Sequence, residues 1–233
     1  MSSPVSEISI YEHHPYFFKD SEIYYPESDG ESTVETDLHR ILINELIETL
    51  NRFFANRENV YVTGNIMFYY LQGAPHEVVS PDVMVCIGVP KGERRMYQLW
   101  EENDVAPSVI FEIASSKTWS KDRNEKRELY ELFGVQEYFI FNPEYPKRIP
   151  AFLAHRLNNG KLELVSLENG RIRSEVLGLD VVDTGKTLRL FNAETNQFLP
   201  TADELSEQHD LLMRENVRLK AELEELKKIL EKQ

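Results

Sequence analysis

Residues 80–89 read SPDVMVCIGV, and residues 107–143 read PSVIFEIASSKTWSKDRNEKRELYELFGVQEYFIFNP. Two short apolar runs, Val83 to Val89 and Val109 to Ala114, each carry one carboxylate where a buried strand ordinarily has none. Asp82 opens the first run and Glu112 sits near the close of the second. Consecutive strands that pair antiparallel set the start of one beside the end of the next. The spacing therefore predicts that the two acids meet at one edge of a sheet, the pairing a divalent cation takes.

The same stretch continues into a helix expected over Lys121–Phe133, with Ser120 as its N-cap and Gly134 just past its end. Leu129, Tyr130, Leu132 and Phe133 define its inward stripe. At 100° per residue Asp122 falls almost on that stripe and Lys126 about 40° from its centre. Lys126 is thus a cation aimed inward near a helix N-terminus, where a basic residue is electrostatically disfavoured. It either serves the two acids or simply pairs with Asp122 one turn away. The run Glu137–Asn142 then reads as a parallel strand reached through this helix.

Upstream, Leu38, Ile41, Leu42, Leu46, Leu50 and Phe53 recur at helical spacing, with Thr33 or Thr36 as the cap. Glu35 and His39 share a face at the N-terminal end of this helix. Asn59–Thr63 and Ile66–Leu71 read as strands separated at Gly64. In KGERRMYQLWEEND (residues 91–104), Lys91, Arg94 and Arg95 sit among Tyr97 and Trp100. That cluster is either a phosphate- and base-binding loop or a turn packing its tryptophan on the sheet.

Downstream, Phe152–Leu157 and Leu162–Leu167 flank Asn158-Asn159-Gly160, a hairpin signal, and Ile172–Leu177 and Leu188–Phe191 continue the pattern. These strands are expected to cover the core sheet. At the C-terminus Leu205, Leu212, Leu219 and Leu226 recur every seven residues, position d of a coiled coil, with His209, Asn216, Leu223 and Leu230 at position a. A lone Asn at a selects a parallel two-stranded register, and Glu215 and Glu222 at g face Lys220 and Lys227 at e of a partner. The pattern predicts a homodimer through a parallel coiled coil over 203–230, the alternative being a helix folded back on its own domain.

The totals agree with such a layout. A chain of 233 residues, 41% hydrophobic, buries a substantial core. The expected division is an acidic N-terminal arm over 1–32, a domain over 33–200 and a C-terminal coiled coil over 201–233. His13-His14 in the arm reads as a solvated pair rather than as ligands. No apolar run approaches a membrane span, the N-terminus lacks an export signal, and the single cysteine, Cys86, suits a reducing, cytoplasmic setting. The net charge of −14 argues against a nucleic-acid partner, yet residues 38–202 hold 22 acids and 19 bases, leaving that region near neutrality.

Asp82, Glu112 and Lys126 together suit Mg²⁺ or Mn²⁺, hard ions that take few carboxylates and keep several waters. The backbone carbonyl of Ile113 is a further oxygen. Against this stands a buried acid–lysine network that only holds the fold.

Pro81-Asp82, Glu112-Ile113-Ala114-Ser115, EKRELYELFGVQEYFIFNP from Glu125, ETDLHRILINEL, VYVTGNIMFYY and VSPDVMV resemble the Uma2 (DUF820) family of the PD-(D/E)XK, restriction-endonuclease-like superfamily. The resemblance covers about residues 30–195. It implies an α/β fold of mixed sheet, a restriction-endonuclease-like core to which this chain adds β-hairpins and a C-terminal coiled-coil helix. It also implies Mg²⁺-dependent cleavage of DNA, with Asp82 and Glu112 as metal-binding acids. Ala114 stands where the pattern has lysine, and the family's migrated lysine corresponds to Lys126, with Lys117 as the fallback. Glu35 corresponds to an acid that some superfamily members add from the first helix. The reading in competition is a non-catalytic nucleic-acid-binding or scaffolding protein working through its coiled coil.

Overall fold

The computed structural model describes residues 23–26 and 36–230, with Ile229 described by its backbone alone. Most of the expected arm, His13-His14 and Glu35 lie outside the described residues. The chain forms helix α1 (Asp37–Phe53), strands β1 (Val60–Thr63), β2 (Met67–Tyr69), β3 (Val78–Val79), β4 (Val83–Ile87) and β5 (Met96–Gln98), and a 3-10 turn (Leu99–Glu102). Strand β6 (Val109–Ile113) leads into a helical segment made of α2 (Trp119–Lys121), a π turn (Asp122–Lys126) and α3 (Arg127–Leu132). Strands β7 (Glu137–Phe141), β8 (Phe152–Asn158), β9 (Lys161–Val165), β10 (Arg171–Ser174), β11 (Leu179–Asp183), β12 (Leu188–Asn192) and β13 (Gln197–Phe198) follow, and α4 (Ala202–Leu230) ends the described chain.

A six-stranded sheet in the order β1-β4-β6-β7-β8-β9 is the centre of the molecule. Only β6 and β7 run parallel, joined through α2, the π turn and α3 as the sequence predicts; the other pairs are antiparallel. The inner strands are buried on both faces, which is why Val83–Ile87 and Val109–Ile113 read as unbroken apolar runs. One face (Val83, Val85, Val109, Phe111, Phe139, Phe141) packs against α1 and against the sheet β10-β11-β12-β13. The other (Met84, Ile110, Ala114, Tyr138, Ile140) packs beneath Trp119 and Tyr130 and beside Phe68 and Tyr97 of a three-stranded sheet β3-β2-β5.

Several expectations are corrected by packing. Leu38 and Ile41 stand exposed, and the buried face of α1 is His39, Leu42, Ile43, Leu46, Thr49 and Leu50. The rotation that seats Ile43 and Leu50 also brings His39 to the Ala114 carbonyl and turns Leu38 and Ile41 away. The helix after β6 starts at Trp119 rather than behind a Ser120 cap, and Leu132 is exposed. The β8–β9 hairpin, turned by Asn159 and Gly160 at positive φ, extends the central sheet instead of covering it; the covering is done by β10–β13, and β11 had no counterpart in the sequence reading.

Helix α4 begins with a capping box: Glu204 N–H donates to Thr201 Oγ1 at 3.2 Å and Thr201 N–H donates to Glu204 Oε2 at 2.9 Å. The Arg189 guanidinium grips both Glu204 oxygens, at 3.0 and 2.8 Å, tying the start of the helix to β12 and holding the Glu204 carboxyl below the usual range. Beyond that anchor Leu212, Leu219, Leu223, Leu226 and Leu230 are exposed, uncovered by any of the described residues.

Candidate functional site

The β4–β6 register pairs Val83 with Phe111, so Asp82 lies opposite Glu112 one step further along the same edge. Alternation puts both on the face of Met84, Ile110 and Ala114, beneath the helical segment 119–132. The Ile113 N–H donates to Asp82 Oδ2 at 2.6 Å, fixing the half-buried Asp82 against β6. Close approach there depends on Gly64, where a Cβ would meet the Asp82 carbonyl oxygen at 1.9 Å. The Asn65 N–H holds the neighbouring Pro81 carbonyl at 2.9 Å.

Glu112 is 1% exposed and both of its oxygens are engaged. Tyr130 OH donates to Oε1 at 2.6 Å, and the Lys126 ammonium donates to Oε2 at 2.7 Å. Lys126 also reaches Asp122 Oδ1 at 3.1 Å, so the expected pairing one turn away is present beside the contact with Glu112. Asp122 is itself 2% exposed; that oxygen has the ion pair with Lys126 and no hydrogen bond of good geometry. A strict α-helix drifts about 40° per four residues, or about 80° from Asp122 to Tyr130. The π turn takes up that drift, and Asp122, Lys126 and Tyr130 all face Glu112's side of the sheet.

The electrostatics follow from burial and proximity. Burial and the Glu112 charge push the Asp82 carboxyl well above its ordinary value, against the Lys126 charge and the Ile113 N–H. Burial raises Glu112 too, only partly offset by Lys126. Burial alone would lower Lys126; Glu112, Asp122 and Asp82 more than reverse that, and the lysine is held charged. Among the described residues no three His, Cys, Asp or Glu side chains converge as a ready metal cluster. The donor set that exists is two carboxylates on paired strand ends, the few hard oxygens that Mg²⁺ takes while keeping its water.

The other candidates fall elsewhere. His39 is buried in the first turn of α1, with Nε2 3.3 Å from the Ala114 carbonyl oxygen and Nδ1 2.5 Å from Thr36 Oγ1, tying that helix to the end of β6. Lys117 is exposed on the turn after Ser115, and among the described residues it makes no ion pair with either acid. In the basic loop, Lys91 donates to the Phe54 and Ala55 carbonyls, and Arg94 lies over the Tyr61 ring and pairs with Glu102. Tyr97 is fully buried, and Trp100 packs against Tyr25. The loop is thus spent mainly on structure. Asp122 was noted as inward in the sequence, but nothing there assigned it to this site. The signal was its spacing of four from Lys126 and of eight from Tyr130.

No protein of curated function matches the chain at a significant level. Among solved structures, the crystal structure of "a putative nuclease belonging to DUF820 from Anabaena variabilis ATCC 29413" is similar at 12% identity and a TM-score of 0.45, over 61% of this chain and 75% of that one. The model of the Uma2 family, described as "Putative restriction endonuclease", matches residues 11–185. The chain therefore belongs to the Uma2 family.

Proposed function

We propose that this protein is a Mg²⁺-dependent endonuclease that hydrolyses phosphodiester bonds of DNA, working as a homodimer joined through α4 in a reducing cytoplasm. The observation that carries the reading is the meeting of Asp82, Glu112 and Lys126 at one sheet edge, in a chain of a family described as "Putative restriction endonuclease".

Asp82 and Glu112 would hold the ion. The Ile113 carbonyl, which in an extended strand leaves on the same side as the N–H that meets Asp82, would add an oxygen. Bound there, Mg²⁺ supplies neutralisation of charge on the scissile phosphate and activation of the attacking water. The protein's own part is positional. Ile113 N–H and Tyr130 OH fix the two carboxylates, and the Lys126 ammonium, charged and inward, orients the water or meets the developing negative charge.

A second reading, a non-catalytic nucleic-acid-binding or scaffolding protein, is favoured by one observation. Both Glu112 oxygens already have protein donors. Calorimetric titration with Mg²⁺ and a plasmid-nicking assay in Mn²⁺ separate the two. The parent protein is expected to bind and to nick, and Asp82→Ala to lose both. A parent that neither binds nor nicks ends the enzyme reading.

A further inference from the structure

We infer that Asp122 is a positioning residue that receives Lys126 when a divalent ion takes Glu112, so that the π turn works as a two-position cradle for one ammonium group. The inference rests on the metal-binding reading above.

Three observations carry it. First, Lys126 already lies between two acceptors, 2.7 Å from Glu112 Oε2 and 3.1 Å from Asp122 Oδ1. An ion ligated by Glu112 would put a double charge beside that ammonium, so metal and lysine compete for the same carboxylate. Second, Asp122 Oδ1 is buried and has no hydrogen bond of good geometry, although a buried carboxylate oxygen ordinarily has one. It is an acceptor with capacity in hand. Third, Asp122 and Lys126 open and close a π turn, a rare helical form that recurs at functional sites. A lysine leaving Glu112 therefore has a second buried carboxylate within reach of the same stem and keeps its charge inside the site.

A purely structural Asp122 would stabilise Lys126 where it stands and leave metal affinity alone. The proposed role makes metal affinity depend on Asp122 only while Lys126 is present. Mn²⁺ titrations at pH 8 on the parent, Lys126→Met, Asp122→Asn and the double variant test this, each first checked for native helicity. Lys126→Met is expected to bind Mn²⁺ about tenfold more tightly than the parent, Asp122→Asn about tenfold more weakly, and the double variant as Lys126→Met does.

Unchanged or weaker binding by Lys126→Met overturns the inference. So does a double variant that falls below Lys126→Met as far as Asp122→Asn falls below the parent, since Asp122 then acts on the ion directly. Binding by none of the four removes the metal reading itself, and this inference with it. If Lys126→Met does not fold, Mn²⁺-soaked crystals of the parent decide. Lys126 Nζ is expected on Asp122 and out of contact with Glu112, and an ammonium still bonded to Glu112 beside a bound ion overturns the cradle.

Discussion

Glu112 shows how tightly single residues are constrained at this site. Its Oε1 has Tyr130 OH and its Oε2 has Lys126, so Tyr130→Phe leaves a buried carboxylate oxygen short of a donor. The expected loss of stability is about 1–3 kcal/mol, read from urea denaturation; a change below about 0.5 kcal/mol would contradict the arrangement. Removing Lys126 costs more, about 3–5 kcal/mol, because it strands a buried charge. Activity lost in such a variant therefore means little until its folding is measured.

A second residue sets a pH response. His155 lies buried on β8, stacked against Tyr138, with Nδ1 unpartnered among the described residues. Burial lowers its pKa to about 4, with Arg127 and Arg123 adding to the effect and the Tyr138 backbone opposing it. The folded value lies below the unfolded one near 6.5. Its contribution is therefore complete above pH 6.5 and is lost as pH falls toward 4, by up to about 3 kcal/mol. His155→Phe should flatten that part of the stability profile, and denaturation at pH 7, 6 and 5 reads the difference.

At this scale much was legible. The Asp82–Glu112 juxtaposition follows from strand order, and the inward Lys126 from helical angle. Leu38 was expected inward and is exposed because it lies near the edge of the stripe, whereas its neighbour His39 turns in to the Ala114 carbonyl.

Among the elements, the helical segment 119–132 departs most from its sequence reading. Its apolar residues fit an ordinary α-helix, and nothing in residue type marks the π turn. The widened turn goes with contacts from the sheet beneath it, Glu112 with Lys126 and Tyr130 and Tyr138 OH with the Asp122 carbonyl at 2.8 Å. The start of α4 is the opposite case: Thr201-x-x-Glu204 is a legible capping signature that the heptad pattern downstream overshadowed. Strand β11 was missed because its five residues, Leu179–Asp183, are too few to show alternation. The β1–β2 connection carries a prediction of its own. Gly64 lets this loop lie on the Asp82 backbone, and a methyl group there would overlap the Asp82 carbonyl. Gly64→Ala is expected to cost about 1–3 kcal/mol and to weaken Mn²⁺ binding together with stability, whereas Gly92→Ala, where a methyl group meets only Arg94 Nη1 at an ordinary 3.6 Å, should do neither. Thermal melts with and without Mn²⁺ distinguish them.

For the molecule as a whole, the acidity is concentrated at its two ends, so the net charge of −14 misrepresents the domain between them. Helix α4 runs 29 residues, roughly 44 Å at 1.5 Å per residue, with its leucine face uncovered by described residues. A lone helix of this kind is marginal in water, and pairing through that face would supply what it lacks. Reversing Lys220 and Lys227 to Glu sets like charges against Glu215 and Glu222 and should abolish self-association in sedimentation. Reversing those glutamates to Lys as well should restore it. A parent that sediments as a monomer at micromolar concentration would contradict the pairing. This level was the least legible: a heptad pattern states what one helix offers, and one chain does not contain the surface that accepts it.

Cys86 lies at 0% exposure on β4, and burial pushes its thiol up to about 12, so the only sulfhydryl in the sequence is closed to alkylating reagents while the chain is folded. The native protein can thus be handled as if it were free of cysteine. A thiol introduced at Leu212 would be its sole reporter, and an oxidative cross-link between two such thiols would distinguish parallel copies, in which this residue meets itself, from antiparallel ones, in which it does not.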